Sequence, residues 1–127
     1  MTTIAIIIGT ILLLAVAIME VLLIIGLPFG EFTMGGQNKV LPPVYRIFAA
    51  SSILVQLFGA AILLQAGGYM GMWFSSKTTR IICYVFAGFF AINTFMNAIS
   101  RSKKEKYAMT PLAMVEAICF FLAGWSI

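Results

Sequence analysis

Long apolar runs alternate with short polar connections along this chain and divide it into four segments. Each segment is close to the about 20 residues that an α-helix needs to cross a hydrocarbon layer of about 30 Å. The predicted spans are 4–27, 45–65, 79–98 and 112–127. The pattern therefore predicts an all-α, polytopic membrane protein, with a single domain over 1–127 and four transmembrane helices packed as two up-down hairpins.

Composition supports a lipid environment. Hydrophobic residues make up 62% of the chain and charged residues 9%, with a mean hydropathy of +1.07, whereas an ordinary soluble domain is about 25% charged. The net charge of +4 comes from few groups on an apolar chain. We therefore expect contact with anionic lipid headgroups and no binding of nucleic acid.

The basic residues are distributed unevenly among the connections. Six of the eight Lys and Arg residues lie in the first and third connections, namely Lys39, Arg46, Arg101, Lys103, Lys104 and Lys106. Cytoplasmic connections carry the excess of Lys and Arg, so both of these connections are predicted to face the cytoplasm and both termini to lie outside. We expect the basic run from Arg101 to Lys106 to contact anionic headgroups.

The chain lacks two residue types that many catalytic and metal sites use. It contains no histidine and no aspartate, which removes the commonest general base, every Ser-His-Asp arrangement and the usual metal ligands. The cysteines, Cys83 and Cys119, sit in separate apolar runs without a CxxC partner and are expected to be buried thiols. We therefore predict no catalytic residue, no metal site, no cofactor and no enzymatic activity.

Two of the four acidic residues, Glu20 and Glu116, lie inside apolar segments. An unpaired carboxylate is strongly unfavourable in lipid, and such groups usually mark a proton, ion or substrate site. Glu20 lies about two turns before the end of the first span, and Glu116 lies just over one turn after Pro111. The sequence therefore predicts both carboxylates at a common depth, in the third of the bundle nearest the cytoplasm.

Other polar residues are predicted to join these carboxylates in one buried cluster. At about 100° per residue, small and polar side chains gather on one face of each helix, and such faces pack together in lipid. The fourth helix, for example, has Ala113, Glu116, Phe120 and Ala123 on one face. The remaining candidate binding residues are Gln56, Asn93 and Asn97, and the candidate charge partners are Arg46, Arg101 and Glu31. Ordinary packing through hydrogen-bonded amides remains the alternative for Gln56 and Asn93.

The first connection contains an apolar, glycine-rich stretch, 28–36, that carries the single charge of Glu31. The sequence allows two arrangements of this stretch. In the first it dips back into the membrane as a re-entrant segment, shielded by protein or lining a wet cavity, and Glu31 then caps the polar cluster. A stretch that lies on the headgroups would leave Glu31 solvated.

Three strings of the sequence, at 26–36, 39–42 and 102–112, carry a resemblance to a known group of proteins. The chain resembles small four-helix integral membrane proteins of Bacillus-type Gram-positive bacteria, a group that implies a bacterial cell membrane but no activity. The stretch 17–21 around Glu20 is also similar to the first helix of the small multidrug resistance transporters. Glu20 lies late in its helix, so this second likeness is an analogy of architecture only.

Three functions are compatible with these residues. In the first, Glu20 and Glu116 bind a proton, a cation or a small solute and exchange it across the membrane, which in so small a bundle implies a homodimer or larger assembly. In the second, the polar cluster is structural, and the protein is an accessory or regulatory protein whose loops bind a larger partner or lipid. In the third, the protein is an intramembrane enzyme with Glu20 or Glu116 as general base. The sequence contains no catalytic motif that supports this function.

Overall fold

The chain folds into long α-helices, as its apolar pattern predicts. The computed structural model describes residues 2–28, 30 and 40–127. Within them lie α1 (Thr2–Ile24), α2 (Pro43–Ala66), α3 (Ser76–Ala98) and α4 (Thr110–Trp125), and a π-helical turn, Glu105–Met109, leads directly into α4. The four spans that these elements form are long and apolar enough to cross a membrane. The all-α class and the four helices are thus confirmed.

Local chemistry sets where two of the helices begin. Pro43 opens α2 behind the extended residue Pro42, as expected for a residue whose missing N–H and fixed φ suit a first helical turn. Ser75 caps α3, because its Oγ accepts a hydrogen bond from the backbone N–H of Thr78 at 3.2 Å and so satisfies an N–H that the helix leaves free.

The fourth span begins earlier than its proline suggests. Pro111 lies in the first turn of α4, but the helical path already starts at Glu105, in the π-helical turn. Proline cannot donate to the carbonyl four residues before it, and its ring crowds that carbonyl, so a wider turn ahead of Pro111 relieves the conflict. The sequence analysis began this span at residue 112, so the helical path starts about two turns earlier than predicted.

Contacts between α1 and α2 run in opposite order along the two helices. A β-carbon added to Gly67, which follows α2, would stand 2.9 Å from Cδ1 of Ile6 near the start of α1. Ser52, early in α2, donates to Glu20 near the end of α1. We call the end where α1 stops and α2 begins the connection end, and the opposite end, which holds Thr2 and Trp125, the terminal end.

Helix α4 also packs along α1 in opposite order, and a glycine makes the approach close. A β-carbon on Gly9 would lie 2.9 Å from Cδ1 of Leu63 and 3.0 Å from Cβ of Cys119, so a larger residue there would force these neighbours to shift. Gly9, Leu63 and Cys119 are therefore at one level of the bundle. Met19, further along α1, shares a cavity with Met109, just before α4.

Aromatic stacking fills the centre of the bundle. Phe120 is fully buried, and its ring stacks on Phe86 at 4.7 Å and on Phe90 at 5.7 Å between centroids. Gly59 of α2 leaves room for this stack, since a β-carbon there would be 3.1 Å from Phe86 and 3.3 Å from Phe120. All four residues predicted for the inner face of α4 are buried, which confirms that face.

The outward faces of the helices are as apolar as the core. Large apolar side chains on all four helices are more than half exposed, for example Ile18 at 62%, Leu54 at 70%, Val85 at 65% and Met114 at 55%. Soluble monomers rarely expose large continuous apolar surfaces. Together with the four candidate spans, this surface indicates a multi-pass membrane protein.

Candidate functional site

A polar cavity of about 160 Å³ lies toward the connection end of the bundle. Its polar lining residues are Glu20, Gln56, Asn93, Asn97 and Glu105. Its apolar lining residues are Leu13, Val16, Met19, Phe90, Met109, Leu112 and Ala113. We call this cavity the acidic pocket, because two of its described lining residues are carboxylates and none is basic.

Glu20 is held in place by α2. The residue is 7% exposed, and its Oε1 accepts hydrogen bonds from Ser52 Oγ at 3.1 Å and from Gln56 Nε2. Gln56 Nε2 also donates to Ser52 Oγ, at 3.2 Å, because the two residues are one turn apart on α2. Both bonds to Glu20 end on Oε1, so among the described residues Oε2 receives no donor.

Glu105 enters the pocket through the π-helical turn. The residue is 8% exposed, and its backbone N–H donates to Ser102 Oγ at 3.3 Å. The sequence analysis treated this glutamate as part of the solvated basic run and missed it. The wide turn ahead of Pro111 is what brings Glu105 to the pocket, and no residue pattern within the run indicates that turn.

Two asparagines of α3 complete the polar lining. Asn97 Nδ2 donates to the backbone oxygen of Met109 at 3.3 Å, which ties the end of the π-helical turn to α3. Asn93 lies one turn earlier and is half-buried. Gln56 contributes a buried Oε1 that has no hydrogen-bond partner among the described residues. The pocket therefore holds amide groups and a free acceptor beside its carboxylates.

Glu116 lies outside the acidic pocket, contrary to the predicted single cluster. It is fully buried, and neither carboxyl oxygen has a hydrogen-bond partner within residues 2–28, 30 and 40–127. Cys119 is level with Gly9, so Glu116 is level with about residue 12 of α1. This level is displaced along the bundle axis from that of Glu20 by about 12 Å, at 1.5 Å per residue. The prediction of a common depth was wrong because the helical path starts at Glu105, which moves Glu116 toward the middle of the bundle.

The predicted charge partners do not join the pocket. Arg46 donates from Nε to the backbone oxygen of Leu41 at 2.8 Å, and Arg101 is exposed. Neither arginine lines the acidic pocket. Glu31 lies outside the described residues, as does most of the stretch 28–36, so the re-entrant alternative for that stretch stays a prediction.

A second polar group, at the terminal end, was missed by sequence reasoning. Gln65 is 2% exposed, and Thr79 is fully buried. Gln65 Oε1 accepts a hydrogen bond from the backbone N–H of Trp73 at 2.8 Å, which anchors the connection between α2 and α3. The sequence contained a signal for this group, because Gln65 and Thr79 are polar residues within or next to predicted apolar spans. Both cysteines are buried thiols, as predicted.

The chemistry of the acidic pocket favours positive charge. The Glu20 carboxylate, buried in an apolar bundle, raises the electrostatic free energy unless a proton or cation accompanies it. The described residues contain no group of three His, Cys, Asp or Glu side chains suited to a metal ion. The arrangement is therefore suited to a small cation or a proton, held by carboxylate and amide oxygens.

Comparison of the chain with family models, with curated proteins and with solved structures finds no match.

Proposed function

We propose that this protein binds a small organic cation in the acidic pocket and exchanges it across a bacterial cell membrane. One observation carries the proposal, namely that Glu20 and Glu105 line one cavity with no basic residue among its described lining. Carboxylates paired with arginine would indicate a structural ion pair. Glu20, whose described hydrogen bonds come from Ser52 and Gln56, instead borders an open volume, as is typical of a binding site for positive charge.

The size and lining of the acidic pocket indicate the class of ligand. A cavity of about 150 Å³ is large enough for benzene, and the acidic pocket has about 160 Å³. Phe90 offers an aromatic ring and Met19 a polarisable sulfur, both of which interact well with organic cations. Guanidinium and short alkylammonium ions match this volume and this combination of groups.

The proposed membrane arrangement has two up-down helical hairpins with both termini outside. The support is the excess of Lys and Arg in the first and third connections and the opposite order of the contacts that α1 makes with α2. The connection end, toward which the acidic pocket lies, then faces the cytoplasm. Anionic headgroups would contact Lys103 and Lys106 at that end.

The same arrangement supports a homodimer as the working unit. The centre of the bundle is filled by buried side chains such as Leu63 and Phe120, so a single chain has little room for a continuous path. The proposal therefore includes a homodimer, formed through the apolar outer faces.

A second candidate function, as an accessory membrane protein, has one observation in its favour. Glu20 is already satisfied on Oε1 by Ser52 and Gln56, as a purely structural carboxylate would be. In that case the acidic pocket holds water only, and the loops at the connection end bind a larger partner or lipid.

Cation binding by the purified protein separates the two functions. We expect guanidinium or methylammonium to bind in isothermal titration calorimetry, and Glu20→Gln to weaken binding by about 100-fold, because the lost charge faces the cation at short range in a medium of low dielectric constant. Glu105→Gln should also weaken binding of these cations. Glu116→Gln is the matched control, since it removes an acid that does not line the pocket.

Uptake of radiolabelled guanidinium into proteoliposomes then tests exchange, and Glu20→Gln should abolish it. If the wild-type protein binds neither cation, the proposed function is wrong. Binding without uptake would leave a cation-binding accessory protein.

A further inference from the structure

Buried polar atoms without partners continue from the acidic pocket toward the terminal end. Within the described part of the chain, the buried polar atoms without a partner are Gln56 Oε1, both carboxyl oxygens of Glu116, Thr10 Oγ1, Gln65 Nε2 and Thr79 Oγ1, together with Thr110 Oγ1 near the connection end. Buried polar groups are nearly always hydrogen-bonded, and a group without a partner raises the free energy of the folded state. A series of such groups therefore calls for a functional reason.

Contacts between the helices give the order of these groups along the bundle. Ala113 lines the acidic pocket, and Glu116 follows it by one turn on the same face of α4. Thr10 is next to Gly9, which lies against Cys119, one turn beyond Glu116. Glu116 thus lies between the pocket and Thr10.

The series then reaches the terminal end through α2. Leu63 lies at the level of Gly9, and Gln65 lies two residues further toward the terminal end. Gln65 is bonded to the backbone N–H of Trp73, in the exposed connection between α2 and α3. The order from the pocket is therefore Glu116, Thr10 and Gln65, followed by the surface at the terminal end.

No charge of the described residues compensates Glu116. The single charged residue of α1 is Glu20, and that of α2 is Arg46, near its start; α3 carries Lys77 and Arg80 in its first turns, at the terminal end. The titratable neighbour on α4 itself is the Cys119 thiol. A fully buried carboxylate in this setting is stabilised by taking up a proton.

We propose that Glu116 is the proton carrier of the exchange, loaded from the terminal end past Thr10 and Gln65. This inference rests on the proposed cation exchange. In each cycle, water at the terminal end gives a proton to the Glu116 carboxylate, and the resulting carboxylic acid passes that proton to Glu20 or Glu105. The protonated pocket residue is neutral and releases its cation toward the terminal end. It later gives the proton to water at the connection end as the next cation binds, so one proton enters for each cation charge that leaves.

Apolar side chains close the path between these groups in the present conformation. Leu63 and Phe120 are fully buried near the level of Glu116, whereas the acidic pocket has free volume. These side chains therefore separate the acidic pocket from the terminal end in this conformation. Proton loading of Glu116 belongs to a state in which this seal relaxes.

Transport by proteoliposomes, measured in two modes, tests the carrier role. The first mode is uptake of radiolabelled guanidinium driven by a pH gradient, and the second is counterflow, in which labelled guanidinium exchanges for unlabelled guanidinium without a gradient. Glu116→Gln should lower gradient-driven uptake by about 100-fold, the size of a lost proton-transfer group, while counterflow and guanidinium binding persist. Glu20→Gln should lose binding and both modes.

Two further variants keep the test decisive if Glu116→Gln does not fold. Thr10→Val keeps the shape and removes the hydroxyl, and it should slow gradient-driven uptake by about tenfold, the value of one hydrogen bond, without changing counterflow. Cys119→Ala disturbs packing beside Glu116 without removing a group of the series, and should keep both modes.

Failure of this inference and failure of the proposed function give different results. Wild-type protein that neither binds nor transports guanidinium overturns both. Wild-type transport together with unchanged gradient-driven uptake in Glu116→Gln, or in Thr10→Val where the first variant does not fold, overturns the carrier role alone. Loss of binding in folded Glu116→Gln also overturns it, because that result assigns Glu116 to the pocket.

Discussion

Replacing Asn93 by lysine should abolish binding of small cations while the protein stays folded. Asn93 and Glu20 line the same cavity, so a lysine at position 93 supplies a tethered ammonium that competes with the ligand. An ammonium about 4 Å from a carboxylate interacts by about 4 kcal/mol at an effective dielectric constant of about 20, so we expect affinity to fall by about 100-fold or more. Guanidinium titration of purified Asn93→Lys measures the effect.

Asn93→Met is the matched control for this variant. Methionine fills a similar volume without the charge, so it separates occupation of the acidic pocket from its neutralisation. We expect Asn93→Met to retain measurable guanidinium binding. Equal loss of binding in the two variants would contradict the electrostatic role of the pocket, and unchanged binding in Asn93→Lys would place the cation elsewhere.

Phe120→Ala should cause the largest loss of stability of any single truncation in the core. Phe120 is fully buried and stacks on Phe86 and Phe90. Its removal leaves a cavity and loses these contacts, but helices in lipid gain little from apolar transfer, so we expect a decrease of about 2–4 kcal/mol in the free energy of unfolding. Unfolding in mixed micelles with increasing dodecyl sulfate, followed by circular dichroism, gives this value.

Phe95→Ala provides the comparison for this truncation. Phe95 is on α3 and is 63% exposed, so its loss changes contact with lipid or detergent more than packing between helices. Its free energy of unfolding should stay within about 0.5 kcal/mol of the wild-type value. Equal losses for the two phenylalanines would show that the central stack does not hold the bundle together.

Apolar periodicity and proline placement were sufficient to predict the helices. Hydropathy defined four runs, and every bound of the helices α1 to α4 lies within three residues of its predicted position. The inner face of α4 followed from spacing alone, because Ala113, Glu116, Phe120 and Ala123 recur at helical intervals. These features depend on short stretches of sequence, so they can be predicted without knowledge of the tertiary structure.

The composition of the polar site could be predicted only in part. Glu20, Gln56, Asn93 and Asn97 were predicted as members, and all four line the acidic pocket. Glu105 was missed, because its position depends on the π-helical turn ahead of Pro111. Helices with these inner faces can pack at several relative heights, so the level of Glu116 depended on where the fourth helical path begins.

The arginines illustrate a related limit of sequence reasoning. Opposite charges near one end of a bundle suggest ion pairs, and Arg46 and Arg101 were therefore proposed as partners for the carboxylates. Arg46 instead donates to the backbone oxygen of Leu41, and Arg101 is exposed. Long basic side chains reach water or headgroups easily at a helix end, which is more favourable than burial beside Glu20.

The most direct test of a cation-selective pocket is the rate at which charged thiol reagents reach it. In protein with Cys83→Ala and Cys119→Ala, the variant Asn93→Cys places one thiol on the pocket wall. We predict that a methanethiosulfonate reagent with an ammonium group modifies this thiol at least about tenfold faster than one with a sulfonate group, and that Glu20→Gln with Glu105→Gln removes the difference. Equal rates for the two reagents, or faster reaction of the sulfonate, would contradict the proposal that the acidic pocket selects cations.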